Sequence, residues 1–221
     1  MTYKAVYERS LGDPEAFWGE AAELIDWEVV PQRVLDDSRP PFYRWFPDGI
    51  LNTCHNALDR HVDGGRADQV ALVYDSPVTD TVRSYTYREF RDEVAIVAGA
   101  LSDLGVKKGD RVIIYMPMVP ETAMAMLACA RIGAVHSVVF GGFAANELAT
   151  RIDDARPVAI LSASCGIEPG KIVEYKPLLD AAIDLADHKP DSVMVLQRPQ
   201  ALATMLEGRD VDWFETVSAA T

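Results

Sequence analysis

The sequence is poor in cysteine and histidine. Three cysteines, Cys54, Cys129 and Cys165, lie far apart, and no Cys-x-x-Cys occurs. That excludes a disulfide scaffold and the common zinc patterns. Isolated thiols of this kind read as buried or free side chains in a reducing compartment. The four histidines, His55, His61, His136 and His188, include no i, i+4 metal pair. Basic charge is scarce as well: 21 Lys and Arg stand against 34 Asp and Glu, a formal charge of −13. Such a chain has no electrostatic footprint for nucleic acid and is repelled by anionic lipid. No apolar stretch reaches the roughly 18 residues of a membrane helix. Pro117, Pro120, Gly133 and Gly141-Gly142 interrupt the two longest candidates. The first thirty residues carry Asp13, Glu15, Glu20, Glu23, Asp26 and Glu28, where a secretory signal would need a basic and then an apolar region. Gly-x-x-x-x-Gly-Lys-Ser/Thr and Gly-x-Gly-x-x-Gly are both missing, which argues against a P-loop NTPase and a dinucleotide oxidoreductase. The expectation is a soluble cytoplasmic protein (mitochondrial matrix in a eukaryote) with no nucleic-acid and no membrane partner.

What is present is an ordinary globular composition, 49% hydrophobic and 25% charged over 221 residues. At roughly 150 residues per domain that length is about one and a half domains. The half is residues 1–64. It holds Trp18, Trp27 and Trp45, four prolines between Pro31 and Pro47, and helical stretches at Tyr3–Ser10 and Asp13–Glu23. Asp13 can cap the second helix, with Pro14 at its first position. Leu51–His61 reads as a further helix ended by Gly64-Gly65. This segment has too few apolar residues for a core of its own and reads as an irregular helical arm.

Residues 65–221 change pattern. Val70–Tyr74 and Val82–Tyr87 read as a pair of short strands. Thr86 precedes a helix over Arg88–Leu104 whose Phe90, Val94, Val97 and Leu101 share one face, with Gly105 as terminator. Apolar strands follow at Arg111–Tyr115, Ala134–Phe140, Val158–Ser162 and Ser192–Leu196, separated by helices at Pro120–Ile132, Asn146–Ala155 and Pro177–Ala186. Apolar strands alternating with helices are the pattern of βαβ units, and continuous apolar runs point to strands covered on both faces. The predicted fold class is α/β, a parallel doubly wound sheet. Ligands of such sheets lie beyond the carboxyl ends of the strands. That directs attention to four loops: 116–121, 141–146, 163–176 and 197–201. Phe140-Gly141-Gly142-Phe143 is either a backbone-contact loop for a ligand or a tight turn that needs positive φ. Lys171 is either a point charge for a phosphate or a solvated turn lysine. Cys165 has no histidine near it in sequence and reads as structural.

The residues also carry a resemblance. Trp45-Phe46-Pro47-Asp48-Gly49-Ile50-Leu51-Asn52-Thr53-Cys54-His55-Asn56-Ala57-Leu58-Asp59-Arg60-His61, Tyr85-Thr86-Tyr87-Arg88-Glu89-Phe90 and Gly105-Val106-Lys107-Lys108-Gly109-Asp110-Arg111-Val112 are similar to AMP-forming short-chain acyl-CoA synthetases. Arg131-Ile132-Gly133-Ala134-Val135-His136-Ser137-Val138-Val139-Phe140-Gly141-Gly142-Phe143 is the most specific stretch. The arm wording and Ser164-Cys165-Gly166-Ile167-Glu168-Pro169-Gly170 resemble the propionyl-CoA rather than the acetyl-CoA branch. The resemblance implies an acid–CoA ligase that joins a short-chain carboxylate to ATP, with Mg2+, and passes the acyl group from AMP to coenzyme A. The family's Ser/Thr/Gly-rich phosphate loop, its adenine and ribose motifs and its carboxy-terminal lysine have no counterpart in this sequence. The resemblance therefore assigns no catalytic and no metal-ligating residue, and the isolated chain is expected to be inactive. It implies part of a CoA surface: Phe140, Gly141 and Gly142, with Lys171 at the second basic position of a Gly-x-Arg-Gly-Gly-Lys/Arg loop. Glu168 occupies the position where that loop has arginine. A non-catalytic CoA-binding or interaction module is the alternative.

Overall fold

The computed structural model describes residues 2–142 and 144–220. The chain divides into two compact units, Met1–Arg60 and His61–Thr221.

In the first unit, α1 (Tyr3–Gly12) and α2 (Pro14–Ala22) meet at Asp13, whose side chain accepts the Ala16 N–H at 3.0 Å. Both helices match the sequence reading to within two residues. Two-residue strands β1 (Leu35–Asp36) and β2 (Arg44–Trp45) pair antiparallel. The aromatic side chains meet one another: Trp18 lies 6.0 Å from Trp45, and Trp27 5.5 Å from Phe46, between ring centroids. Gly49 is glycine because a Cβ would lie 2.6 Å from the Trp27 ring. Among the described residues of this unit only Cys54 and Leu58 are buried, as its low apolar content leads one to expect. The helix expected at Leu51–His61 is present but wound differently. His55–Asp59 forms a π-helical turn, and a second, Val62–Arg66, opens the next unit with Gly65 at φ 85°. The Gly64-Gly65 pair thus falls inside the last turn rather than after it.

In the second unit, β3 (Val70–Ser76) and β4 (Thr81–Thr86) form an antiparallel pair. Thr86 then caps α3 (Tyr87–Asp103) through a full capping box. Its Oγ1 accepts the Glu89 N–H at 3.2 Å while the Glu89 carboxylate accepts the Thr86 N–H at 2.8 Å. The main sheet is built from β5 (Arg111–Tyr115), β6 (Val135–Val138), β7 (Ala159–Ala163), β10 (Ser192–Leu196) and β11 (Asp210–Asp212). Its spatial order is β11-β10-β7-β5-β6, with every neighbour parallel. Helices α4 (Pro120–Ile132), α5 (Ala145–Ala155) and α6 (Tyr175–Leu185) connect the strands, and α7 (Trp213–Ala219) follows β11. Alternation splits the sheet into two faces. Ile113, Tyr115, Ile160, Val193 and Val195 pack with Leu148 and Ile152 of α5 and Leu179 and Ile183 of α6. Val112, Ile114, Leu161 and Met194, all buried, face the opposite side, where α3 packs on α4 and α7. The sheet is doubly wound, as expected.

Two elements correct the sequence reading. The segment 163–176 is not a loop. Cys165–Glu168 (β8) and Lys171–Glu174 (β9) pair antiparallel around Pro169-Gly170, where Gly170 takes φ 74°. The sheet also has a fifth strand, β11. Its Asp-Val-Asp sequence shows no apolar run because an edge strand needs little burial. The Asp210 side chain is nevertheless fully buried, and it is held by ions. Lys176 Nζ lies 2.7 Å from both Asp210 and Asp180, and Arg209 Nε lies 2.7 Å from Asp210. No helix of the described residues is long and apolar enough to cross a membrane.

Candidate functional site at the carboxyl edge of the sheet

The chain passes from β5 out to β6 and then back across β5 to β7. Strand order therefore reverses between β5 and β7, and a crevice opens beyond the carboxyl ends at such a point. A cleft of about 370 Å³ lies there. Each of the four loops singled out from the sequence contributes to its wall: Met116–Val119 after β5, Gly141 after β6, Glu168 and Tyr175 around the β8–β9 hairpin, and Arg198 after β10. The turn between β3 and β4, Tyr74–Val78, forms a further side.

Phe140 and Gly141 line the cleft, and Phe140 is 76% exposed. Gly142 lies in the same turn with φ 93°, so the backbone itself requires glycine. Its N–H donates to Tyr115 Oη at 3.3 Å. One amide that the sequence offers to a ligand is therefore engaged within the protein. Phe143 lies outside the described residues. Lys171 is exposed at the hairpin turn, across the ladder from Glu168, and is not on the cleft wall. Of the sequence-derived candidates, then, the cleft wall holds Phe140 and Gly141; Gly142 lies in the same turn, and Lys171 stands off the wall, paired across the ladder with Glu168.

Sequence reasoning missed two wall residues. Arg198 supplies the wall's only guanidinium, against the carboxylates of Asp75 and Glu168. Its Nη1 donates to Cys165 O at 3.0 Å and its N–H to Ser164 Oγ at 2.8 Å. Cys165 thus contributes a carbonyl anchor, while its thiol is buried. Tyr175, only 7% exposed, packs its ring against that of Tyr115, with centroids 5.0 Å apart and planes tilted by 31°. Burial pushes the phenol pKa of both tyrosines up, so they stay protonated donors at neutral pH. Burial likewise lowers the pKa of His136, which sits in β6 as a neutral packed side chain. Among the described residues no group of three His, Cys, Asp or Glu is arranged to hold a metal ion.

Comparison with known proteins fits this geometry. The family model described as AMP-binding enzyme matches residues 58–217, and the model of the acetyl-coenzyme A synthetase N-terminus matches residues 3–57. The chain belongs to the AMP-binding enzyme family. Together the two matches identify it as an AMP-forming short-chain acyl-CoA synthetase family member. It is 58% identical over 220 residues to an uncharacterized protein of Pseudomonas aeruginosa, covering 100% of this chain and 35% of that protein. It is 50% identical over 219 residues to the mitochondrial acyl-CoA synthetase short-chain family member 3 of Rattus norvegicus, covering 99% and 32%. It is 51% identical over 213 residues to the propionate–CoA ligase of Salmonella typhimurium, covering 96% and 34%. The chain thus spans about a third of the length of the curated relatives it matches. In this AMP-binding family member, the segments that follow β5, β6, β7 and β10 line one cleft at the carboxyl edge of the sheet.

Proposed function

We propose that the chain is the amino-terminal part of a propionate–CoA ligase, or an acetate–CoA ligase, and that its cleft forms part of the coenzyme A surface. Residues 1–64 are then the arm and residues 65–221 the first part of the AMP-binding domain. The whole enzyme would convert carboxylate and ATP to acyl-AMP and pyrophosphate. The CoA thiol would then attack the acyl carbon and expel AMP. A carboxylate is a poor acyl donor, and the AMP ester supplies the leaving group. Magnesium travels with ATP, and no residue of this chain is assigned to it. The work of this chain is binding. The exposed Phe140 ring offers a stacking face to the adenine of CoA. Gly141 brings its backbone to the wall beside it. Lys171 and Arg198 supply positive charge for the cofactor's phosphates in a chain that is otherwise strongly acidic. A cytoplasmic location, or the mitochondrial matrix in a eukaryote, suits such an enzyme.

The observation that carries this reading is the convergence of all four strand-end loops on one cleft at the switch point. An NMR titration of the isotope-labelled chain with CoA tests it. Amide shifts are expected at Gly141, Gly142 and the β8–β9 hairpin, saturating below millimolar CoA and weakened by Lys171→Ala. Absence of shifts there at millimolar CoA would refute the assignment. No acyl-CoA is expected from propionate, ATP and CoA with this chain alone.

A further inference from the structure

Two glycines from different parts of the chain abut one side chain. A Cβ on Gly166, in β8, would lie 2.6 Å from Tyr175 Oη and 2.7 Å from its Cε1. A Cβ on Gly141, after β6, would run into Tyr175 Oη, with Cζ at 2.5 Å and Cε2 at 2.6 Å. The phenol thus lies with one edge against the β8–β9 hairpin and the other against the Gly141-Gly142 turn. Gly141 is glycine because a protein ring fills the space of its side chain. This explains that residue without any ligand. The plate is itself fixed. Tyr175 is the first residue of α6, its N–H donates to Ser164 O at 3.1 Å, and its ring packs against the tilted ring of Tyr115. Tyr115 in turn accepts the Gly142 N–H. Arg198 ties the other side, reaching the β8 backbone at Cys165 O.

We infer that Tyr175 is the positioning residue of this ligand edge: its phenol sets the separation between the Gly141-Gly142 turn and the hairpin carrying Glu168 and Lys171. A rigid aromatic plate between two glycine backbones permits one spacing and resists both collapse and spreading. The inference rests on the CoA reading for its ligand, while the spacing itself is a property of the free protein. Groups that must grip the two ends of one cofactor lose binding steeply when misplaced by an ångström.

Two measurements test it, one with ligand and one without. In the CoA titration, Tyr175→Leu is expected to weaken binding about tenfold, and Tyr175→Phe, which keeps the plate, to stay within about threefold. Gly166→Ala should weaken binding alone but cost much less in a Tyr175→Leu background, since the ring it collides with is gone. General destabilisation does not produce that coupling. If either Leu variant fails to fold, the contrast of Gly166→Ala with Tyr175→Phe still reads the plate. Wild-type binding of CoA with equal affinity in Tyr175→Leu overturns the inference and leaves the CoA reading standing. If wild type does not bind CoA, the CoA reading falls. Hydrogen exchange at the Gly142 and Ile167 amides then decides the inference. At least tenfold faster exchange confined to these two segments in the variant supports the plate, and unchanged exchange overturns it.

Discussion

Replacing Asp210 by asparagine is expected to destabilise the second unit by about 3 kcal/mol. Asp210 is buried at the start of β11 and accepts from Lys176 and Arg209 and from the Leu206 N–H, each at 2.7 Å. The Lys176 side chain is 2% exposed. Removing one partner of a buried pair costs about 3–5 kcal/mol, because the remaining charge stays unpaired out of water. Lys176 retains Asp180, which is 39% exposed and can share its charge with solvent, so the low end applies. Asp180→Asn removes a group that water partly screens, and about 1 kcal/mol is expected there. For a domain of this size about 3 kcal/mol lowers the melting midpoint by roughly 6–12 °C. Acid should expose the same group. Burial alone would raise the Asp210 pKa, but the hydrogen bonds from Arg209 and Lys176 outweigh it and hold the carboxyl below 3.8. A lowered folded-state value gives stability that is present above the unfolded value, about pH 4, and lost as pH falls through the folded one. Urea midpoints from pH 7 down to pH 2 should therefore fall for the wild type below about pH 4 and fall less for Asp210→Asn. Equal effects of Asp210→Asn and Asp180→Asn, or a cost under about 1 kcal/mol for the first, would refute the account of β11 as an ion-anchored strand.

Thr86→Ala removes the Oγ1 half of the α3 capping box, leaving the Thr86 N–H to donate to Glu89, and should cost about 1 kcal/mol in a urea melt, while Ser84→Ala, outside the box, should not. Burial pushes the Cys129 thiol pKa up to about 12, and Cys54 and Cys165 are buried too. A thiol reagent at pH 8 should label none of the three in the native protein and all three in urea; rapid labelling of the native chain would contradict the packing of α4. Gly133→Ala, at φ 74° with Lys108 Cγ 2.9 Å from a new Cβ, should lower the melting midpoint by an amount corresponding to about 1 kcal/mol or more.

The parts of the fold legible in the sequence are those where burial and local chemistry coincide. Arg111–Tyr115 and Ser192–Leu196 are continuous apolar runs because helices cover both faces of the sheet, and their bounds are observed as read. Thr86-x-x-Glu89 and Gly133 mark helix ends through groups within four residues of one another. β11 was not legible because its stability comes from Lys176, thirty-four positions upstream, rather than from its own side chains. The β8–β9 hairpin did leave a signal. Pro169-Gly170 stands between Ile167 and Ile172, and a Pro-Gly pair is suited to a turn with positive φ at its second residue.

The glycines at the ligand edge carry a more general lesson. From sequence, Gly141-Gly142 had two readings, ligand contact and tight turn, and the structure gives each residue a separate reason. Gly142 needs its φ, whereas Gly141 needs the space that Tyr175 occupies. Gly166 needs the same space from the other side. Gly141 and Gly166 are twenty-five positions apart in sequence and become one constraint only through a tyrosine that no motif includes. The width of the cleft is set by packing behind its wall, so the charge on the wall is free to differ. A change of charge at Glu168 should then alter which anion binds while leaving the amide exchange of Gly142 and Ile167 unchanged; a Glu168→Arg variant that loosened those amides would show that charge, not the phenol, holds the edge together.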